Sequence, residues 1–274
     1  MYTTTSLLLA CIACMSCQPE RTDVSAVVPV HGIGSAVQTD HSVEIPDETI
    51  GIDTTAYGLR ITPIGKYISA KQECVSKRQL LQTRYKSATT DSTRSVITAE
   101  AGRVLTEQLI NRIFPFWYGT AWDFNGITDV PGEGEIACGY FVSTTLKHAG
   151  LNVNRYKLAQ KSAYTGSRCL SINDDMKIIR NKSPEQMVDF AKDEVRDGLY
   201  TVGLDYHVGF LLIRNKEVFF IHSSYLNREG VMIEKAQDSP AFASNTYILV
   251  SITHNAPLLE KWLMNEEVKI KEGR

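Results

Sequence analysis

Apolar residues recur with two periods along this chain, a helical one first and a strand-like one later. From about Ile68 to Ile113, Leu, Val and Ile stand three and four positions apart in "CVSKRQLLQTRYKSA" and "SVITAEAGRVLTEQLINRIF", which predicts two amphipathic helices. The aromatic run "FPFWYGTAWDFNG" (114–126) follows. Pro115 is expected to end the second helix, because it lacks an N–H and its ring crowds the preceding turn. A third helix begins at Cys138, with Phe141, Val142, Thr145, Leu146 and Ala149 as its apolar stripe and Gly150 as a C-terminal cap. "YKLAQKSAY" reads as one more short helix. "SPEQMVDFAKDEV" carries a full start signal, with Ser183 as N-cap, Pro184 at the first position and Gln186 completing a capping box.

After that helix the period shortens to two. "GLYTVGLD", "HVGFLLIRN", "EVFFIHSSY" and "TYILVSIT" are short and rich in Val, Ile, Phe and Tyr, and "RNKE" is a hairpin turn between two of them. "APLLEKWLMNEEVKIKEGR" closes with an amphipathic helix. Helices first and an antiparallel sheet later predict the α+β class. The expected divisions are a leader over 1–16, a linker or extended segment over 17–65, a helical extension over 66–113 and a main domain over 114–274.

Composition adds an exclusion and a destination. With 29 Lys and Arg against 31 Asp and Glu, and no basic run, the chain offers nucleic acid no electrostatic footprint. The apolar stretch Ser6–Ser16 is too short to span a bilayer as a helix, but its length suits the apolar core of a secretory signal. It resembles the leader of a bacterial lipoprotein, in which a cysteine after a small residue is acylated. Ser16–Cys17 is the expected junction, with Cys11 and Cys14 as rivals. That resemblance implies export and a lipid anchor holding the protein in the bacterial cell envelope, facing the periplasm or in the outer membrane. Three of the six cysteines belong to this leader, leaving Cys74, Cys138 and Cys169. An odd number leaves one thiol free. Cys74 and Cys169 stand as an open pairing that sequence alone does not establish.

Cys138 has partners that could make it a nucleophile. His207, in "LDYHVGFLLI", and His222, in "VFFIHSSY", are fifteen residues apart, enough to descend one strand and climb the next. Both rings should then reach the same end of the sheet. A helix N-terminus and a nearby imidazolium lower a thiol pKa. The histidine then serves as general base and acid, and a third polar group holds its tautomer. The amide of Cys138 can face a developing oxyanion, and Gly139 leaves that approach uncrowded.

These residues resemble the NlpC/P60 cysteine peptidases, which have a papain-like fold and cut peptide bonds in bacterial cell-wall stem peptides. The family pattern is an aromatic-Gly approach, an Asp-Cys-Ser-Gly-Phe-Val segment, a His-Val-Gly strand and a third polar residue one strand later. "FWYGTAWDFNG" is similar to the approach, "ACGYFVS" to the nucleophile segment, "HVGFLL" to the base strand and "FFIHSS" to the orienter. Ala137 stands where the family has aspartate, and Gly139-Tyr140 where it has Ser-Gly. The resemblance covers about Phe114 to Tyr225. It implies Cys138 as nucleophile, His207 as base, His222 as orienter, Tyr118 near the oxyanion, and a peptidoglycan peptide as substrate.

No metal or cofactor is expected, since three ligands without a Cys-x-x-Cys or His-x-x-x-His pairing make a poor metal signature. His148 is expected as a cation at a helix C-terminus, while His31, His41 and His254 join no constellation. Trp117, Trp122 and Phe124 read as core or cleft wall, and Asp123, Glu133 and Glu135 as solvated groups that could meet a substrate amine. Two other functions compete. A transglutaminase-like domain would need Asp where His222 stands, and a non-catalytic papain-like lipoprotein would only bind envelope ligands. Oligomeric state is left open.

Overall fold

The computed structural model describes residues 52–173 and 175–272. The expected leader, Cys17 with its rivals Cys11 and Cys14, His31, His41 and most of the expected linker lie outside these residues.

Helices α1 (Tyr67–Ser87) and α2 (Asp91–Gln108) carry the early helical period. α1 buries Ala70, Cys74, Arg78 and Leu81, one stripe at spacings of four and three. α2 starts at Thr90, whose hydroxyl accepts the Thr93 N–H at 3.1 Å. Pro115 does not end the helical path. α2 runs into a π-helical turn, Leu109–Ile113, where the Phe114 N–H donates to Leu109 O five residues back, and then into the single turn α3 (Phe114–Trp117). The wide turn absorbs the register change, and Pro115 falls in the first turn of α3, where its missing N–H leaves no gap.

α4 (Cys138–His148) is followed by α5 (Arg155–Ala159) and α6 (Ala163–Ser171), so the stretch read as one short helix is two. The break is a cap: the Ser162 hydroxyl accepts the Thr165 N–H at 3.2 Å and restarts the helix. α7 (Pro184–Glu194) forms with the Ser183–Gln186 capping box in place, and α8 (Ala256–Met264) closes the chain.

The sheet is antiparallel throughout, in the order β1-β6-β2-β3-β4-β5. Its strands are β1 (Lys177–Arg180), β2 (Gly198–Gly203), β3 (Val208–Arg214), β4 (Glu217–Ser224), β5 (Gly230–Lys235) and β6 (Thr246–Ser251). Asn215 and Lys216 both adopt positive φ, 52° and 61°, which makes the β3–β4 turn a two-residue hairpin matched to strand twist. Alternation sorts the side chains. Leu199, Phe210, Leu212, Phe219, Ile221 and Val250 face α1, α2, α4 and α8, while Tyr200, Val202, Leu211, Val218, Phe220 and Leu249 face α7. Helices therefore cover both faces, and α1 and α2 share the larger core with the sheet. The class is α+β.

Cys74 and Cys169 are free, each sealed in the core, and the open pairing is not made. Cys74 Sγ lies 3.5 Å from Gln108 Oε1, and Cys169 Sγ accepts the Lys271 N–H at 3.1 Å. Among the described residues, no helix is long and apolar enough to cross a membrane.

Candidate active site

Cys138 is the first residue of α4, after Ala137, an extended N-cap that supplies no side-chain acceptor. The first-turn amides thus keep their partial positive charge for another acceptor. The lead-in is held on three sides. Ile136 N–H donates to Ala121 O at 2.9 Å, Ala137 N–H to Gly126 O at 2.9 Å, and the Ser223 hydroxyl of β4 to Ile136 O at 2.7 Å. Buried Arg155 straps the same loop to α4, donating to Ile127 O at 2.9 Å, Thr128 O at 3.2 Å and the Thr144 hydroxyl at 2.9 Å. Gly139 has a steric duty of its own. A Cβ there would lie 2.6 Å from Ala159 O, so the end of α5 packs against α4 at this glycine.

His207 immediately precedes β3 and His222 sits within β4. The hairpin brings the rings together: His207 Nε2 and His222 Nδ1 are 2.8 Å apart. His222 stacks on Phe220 with ring centroids 4.0 Å apart and planes at 13°, and His207 meets Tyr225 edge-on at 5.2 Å. Gly209 makes the room, since a Cβ there would come within 2.7 Å of the Phe220 ring and 2.9 Å of His222 Cβ. Beyond His222 lies a residue that sequence reasoning missed. Glu234 of β5 places Oε1 2.8 Å from His222 Nε2.

The body of α4 and the His222 ring pack on opposite faces of the sheet. α4 packs on the Phe210–Phe219 face, whereas Phe220 and His222 lie on the α7 face. Cys138 is half-buried at the sheet end, and the amides of Val208, Gly139 and Cys138 itself face its sulfur. Val208 is the neighbour of His207. No hydrogen bond joins the thiol to the ring: His207 Nδ1 is buried without a partner. The expected lowering of the thiol pKa is not met at rest, because burial pushes it up and outweighs the three amides. His207 is driven down to about 3, by burial first and the charge of His222 second, so no imidazolium stands by the sulfur. His222 is also lowered by burial, against the opposing pull of Glu234. The resting pair is a neutral thiol and a neutral imidazole.

No family model, curated protein or solved structure matches this chain.

A cavity of about 670 Å³ opens against His207, lined by Tyr206, Tyr225, Asn181, Ser183, Ser244 and Asn245. Its walls can hydrogen-bond an amide backbone and stack on an apolar group. A larger one, about 820 Å³, lies at the far end of β3 beside α2 and α8 and touches none of Cys138, His207 or His222. Tyr118 ends α3 and is half-buried beside the main core, and the next residue, Gly119, bonds Val231 O of β5 at 2.8 Å. Trp117 is core. Trp122 contacts Tyr225 at 6.4 Å near the cavity, and Phe124 is 79% exposed. Asp123 pairs with Arg228 at 3.2 Å, while Glu133 and Glu135 are exposed. His254 bonds Asp197 O at 2.7 Å, away from the site. Among the described residues, no group of three or more ligands could hold a metal ion.

His148 lies half-buried against Tyr67 and Trp117. Its Nδ1 shares a hydrogen bond of 2.8 Å with the Tyr67 hydroxyl, which also accepts Trp117 Nε1–H at 2.7 Å, and burial lowers the imidazole to about 4. It is a neutral ring in a packed aromatic cluster, not a cation on a helix dipole. Neutral buried histidines carry a signed consequence. An unfolded histidine binds a proton near pH 6.5, and His207 and His222 resist one when folded, so the unfolded chain gains protons first. Their stabilising contribution is full above about pH 6.5 and is lost as pH falls toward the lower folded values. We expect stability to fall as pH drops from 7 to 5, because burial holds both rings neutral in the fold. A melting temperature that does not fall between pH 7 and pH 5 would show that the rings titrate as if exposed.

Proposed function

We propose that this chain is a thiol-dependent amide hydrolase of the NlpC/P60 type, with a papain-like arrangement, acting on the peptide stems of peptidoglycan. The observation that carries the reading is His207 Nδ1, buried and unpartnered, on the residue before Val208, whose amide faces Cys138 Sγ. A buried nitrogen lone pair without a partner is costly unless something arrives to use it. Export and a lipid anchor at Cys17 belong to the same reading and rest on the leader-like N-terminus.

In the proposed reaction, His207 Nδ1 takes the Cys138 thiol proton as the sulfur attacks the scissile carbonyl carbon. A C–S bond forms and the carbonyl oxygen becomes an oxyanion, which the Cys138 and Gly139 amides would meet, with the Tyr118 hydroxyl assigned there by the family resemblance alone. His207 then gives that proton to the leaving nitrogen as the C–N bond breaks. Water, deprotonated by His207, cleaves the thioester and restores the thiol.

Two readings compete. The absence of a thiol–imidazole hydrogen bond favours a non-catalytic binder of envelope ligands. A transglutaminase-like acyl transferase would share the thioester but pass it to an amine. Digestion of purified sacculi, with products weighed by mass spectrometry, separates the three. Hydrolysis releases stem-peptide fragments whose summed mass exceeds that of the parent peptide by one water. A binder releases nothing, and a transferase adds the mass of a supplied amine less one ammonia.

A further inference from the structure

We infer that Glu234 is a positioning residue that fixes, through His222, which nitrogen of His207 carries the proton. The inference rests on two contacts of 2.8 Å in series, Glu234 Oε1 to His222 Nε2 and His222 Nδ1 to His207 Nε2. A carboxylate has only acceptors to offer, so the proton between Glu234 and His222 sits on His222 Nε2. His222 is neutral, held so by burial, and its Nδ1 is then a lone pair. That lone pair must accept, so His207 Nε2 carries the proton. His207 Nδ1 is left bare, and among the described residues it is the one buried ring nitrogen with no partner. The direction of donation runs from His207 to Glu234, and reversing either bond would place a proton on the nitrogen that a base needs free.

The fold builds this chain of contacts from strand register. Phe220 pairs with Glu234 and His222 with Met232 across β4 and β5, so the carboxylate and the ring lie diagonally on one face. His222 has no exposed surface, and the Glu234 side chain is only 20% exposed. A hydrogen bond to an ionised group in such a setting is among the stronger kinds. Other groups around the relay are Cys138 at the start of α4, Tyr225 against His207, and Glu229, whose charge raises His222 in the same sense as Glu234. None of them touches both rings. Glu234 touches neither the sulfur nor the cavity wall. It acts through another residue.

The tautomer stands apart from the hydrolase reading, and its catalytic consequence rests on that reading. The test is nitrogen-15 NMR of the histidine rings in the intact protein at pH 7, beside alkylation of Cys138 by iodoacetamide. In the wild type, His207 should show a protonated Nε2 and a bare Nδ1, and His222 the same. Glu234→Gln, whose amide can either accept or donate, should no longer hold one tautomer; a population protonated at His207 Nδ1 should appear and alkylation should slow in proportion to it. Glu234→Leu, which can neither donate nor accept, should leave His207 as a mixture of tautomers. A wild-type His207 protonated at Nδ1 overturns the inference without any variant, and so do ring spectra unchanged in both variants. If the tautomers follow the expectation while sacculi stay intact, the relay stands and the hydrolase reading fails. If sacculi are cut and the tautomers do not follow, the reverse holds.

Discussion

Cys138→Ala is expected to remove stem-peptide hydrolysis by a factor on the order of 10⁴ or more, with the fold intact. In the proposed reaction the sulfur forms the covalent bond, so no neighbouring group could deputise for it. His207 without the thiol can only activate water, and it would do so from a position set for a sulfur. Cys138→Ser keeps the volume but offers an alcohol that ionises far less readily, so it too should lose most activity, on the order of 10²-fold or more. The effect on stability should be small. Cys138 is only half-buried, and truncating one atom at such a site costs about 1 kcal/mol or less. A melting curve close to wild type, beside lost hydrolysis, is the required pair of results. Alkylation of the wild type should reproduce the loss, because Cys74 at 0% and Cys169 at 1% exposure are sealed from the reagent. Activity that survives in Cys138→Ala would remove the thiol from the mechanism.

Much of the scaffold around this sulfur can be read from one sequence. The β3–β4 hairpin shows itself through two dense β-branched and aromatic runs around a four-residue turn, and α7 through a complete cap. Both are local signals, strong enough to survive any tertiary context. What escapes the sequence is non-local. β1 has four residues with one fully buried, an edge strand that exists because β6 lies beside it. β5, "GVMIEK", alternates correctly, but its charges hide a strand whose outward-looking carboxylate is turned to His222. An acidic residue on a regular strand beside a buried ring is the signal that could have found Glu234. The neutral state of His148 and the raised thiol pKa of Cys138 are matters of desolvation, and burial depth is not written in residue order. Proline's effect at Pro115 depended in the same way on a π-turn that only the packed helix reveals.

The second large expectation concerns the base, and it turns on the neutral resting pair. His207→Ala should cost on the order of 10²–10⁴-fold in kcat/KM, the usual reach of a positioned general base. The pH profile should carry the more telling result. With His207 lowered to about 3 and the thiol pushed above its ordinary value, both partners are in their working forms across the whole interval between. Wild-type kcat/KM should therefore be flat from about pH 5.5 to pH 8, falling at lower pH as proton uptake by the unfolded chain destabilises the fold. An enzyme resting as thiolate and imidazolium behaves otherwise, rising on its acid side as the thiol ionises and falling as the imidazolium deprotonates. In His207→Ala only the small thiolate fraction can attack, so residual activity should climb about tenfold per pH unit below the thiol pKa and show no plateau. Imidazole added to that variant should restore part of the flat region by entering the space the ring leaves beside Tyr225. A wild-type profile already climbing tenfold per unit between pH 6 and pH 8 would mean that the sulfur works without His207, and the geometry of the two layers would then have kept them apart.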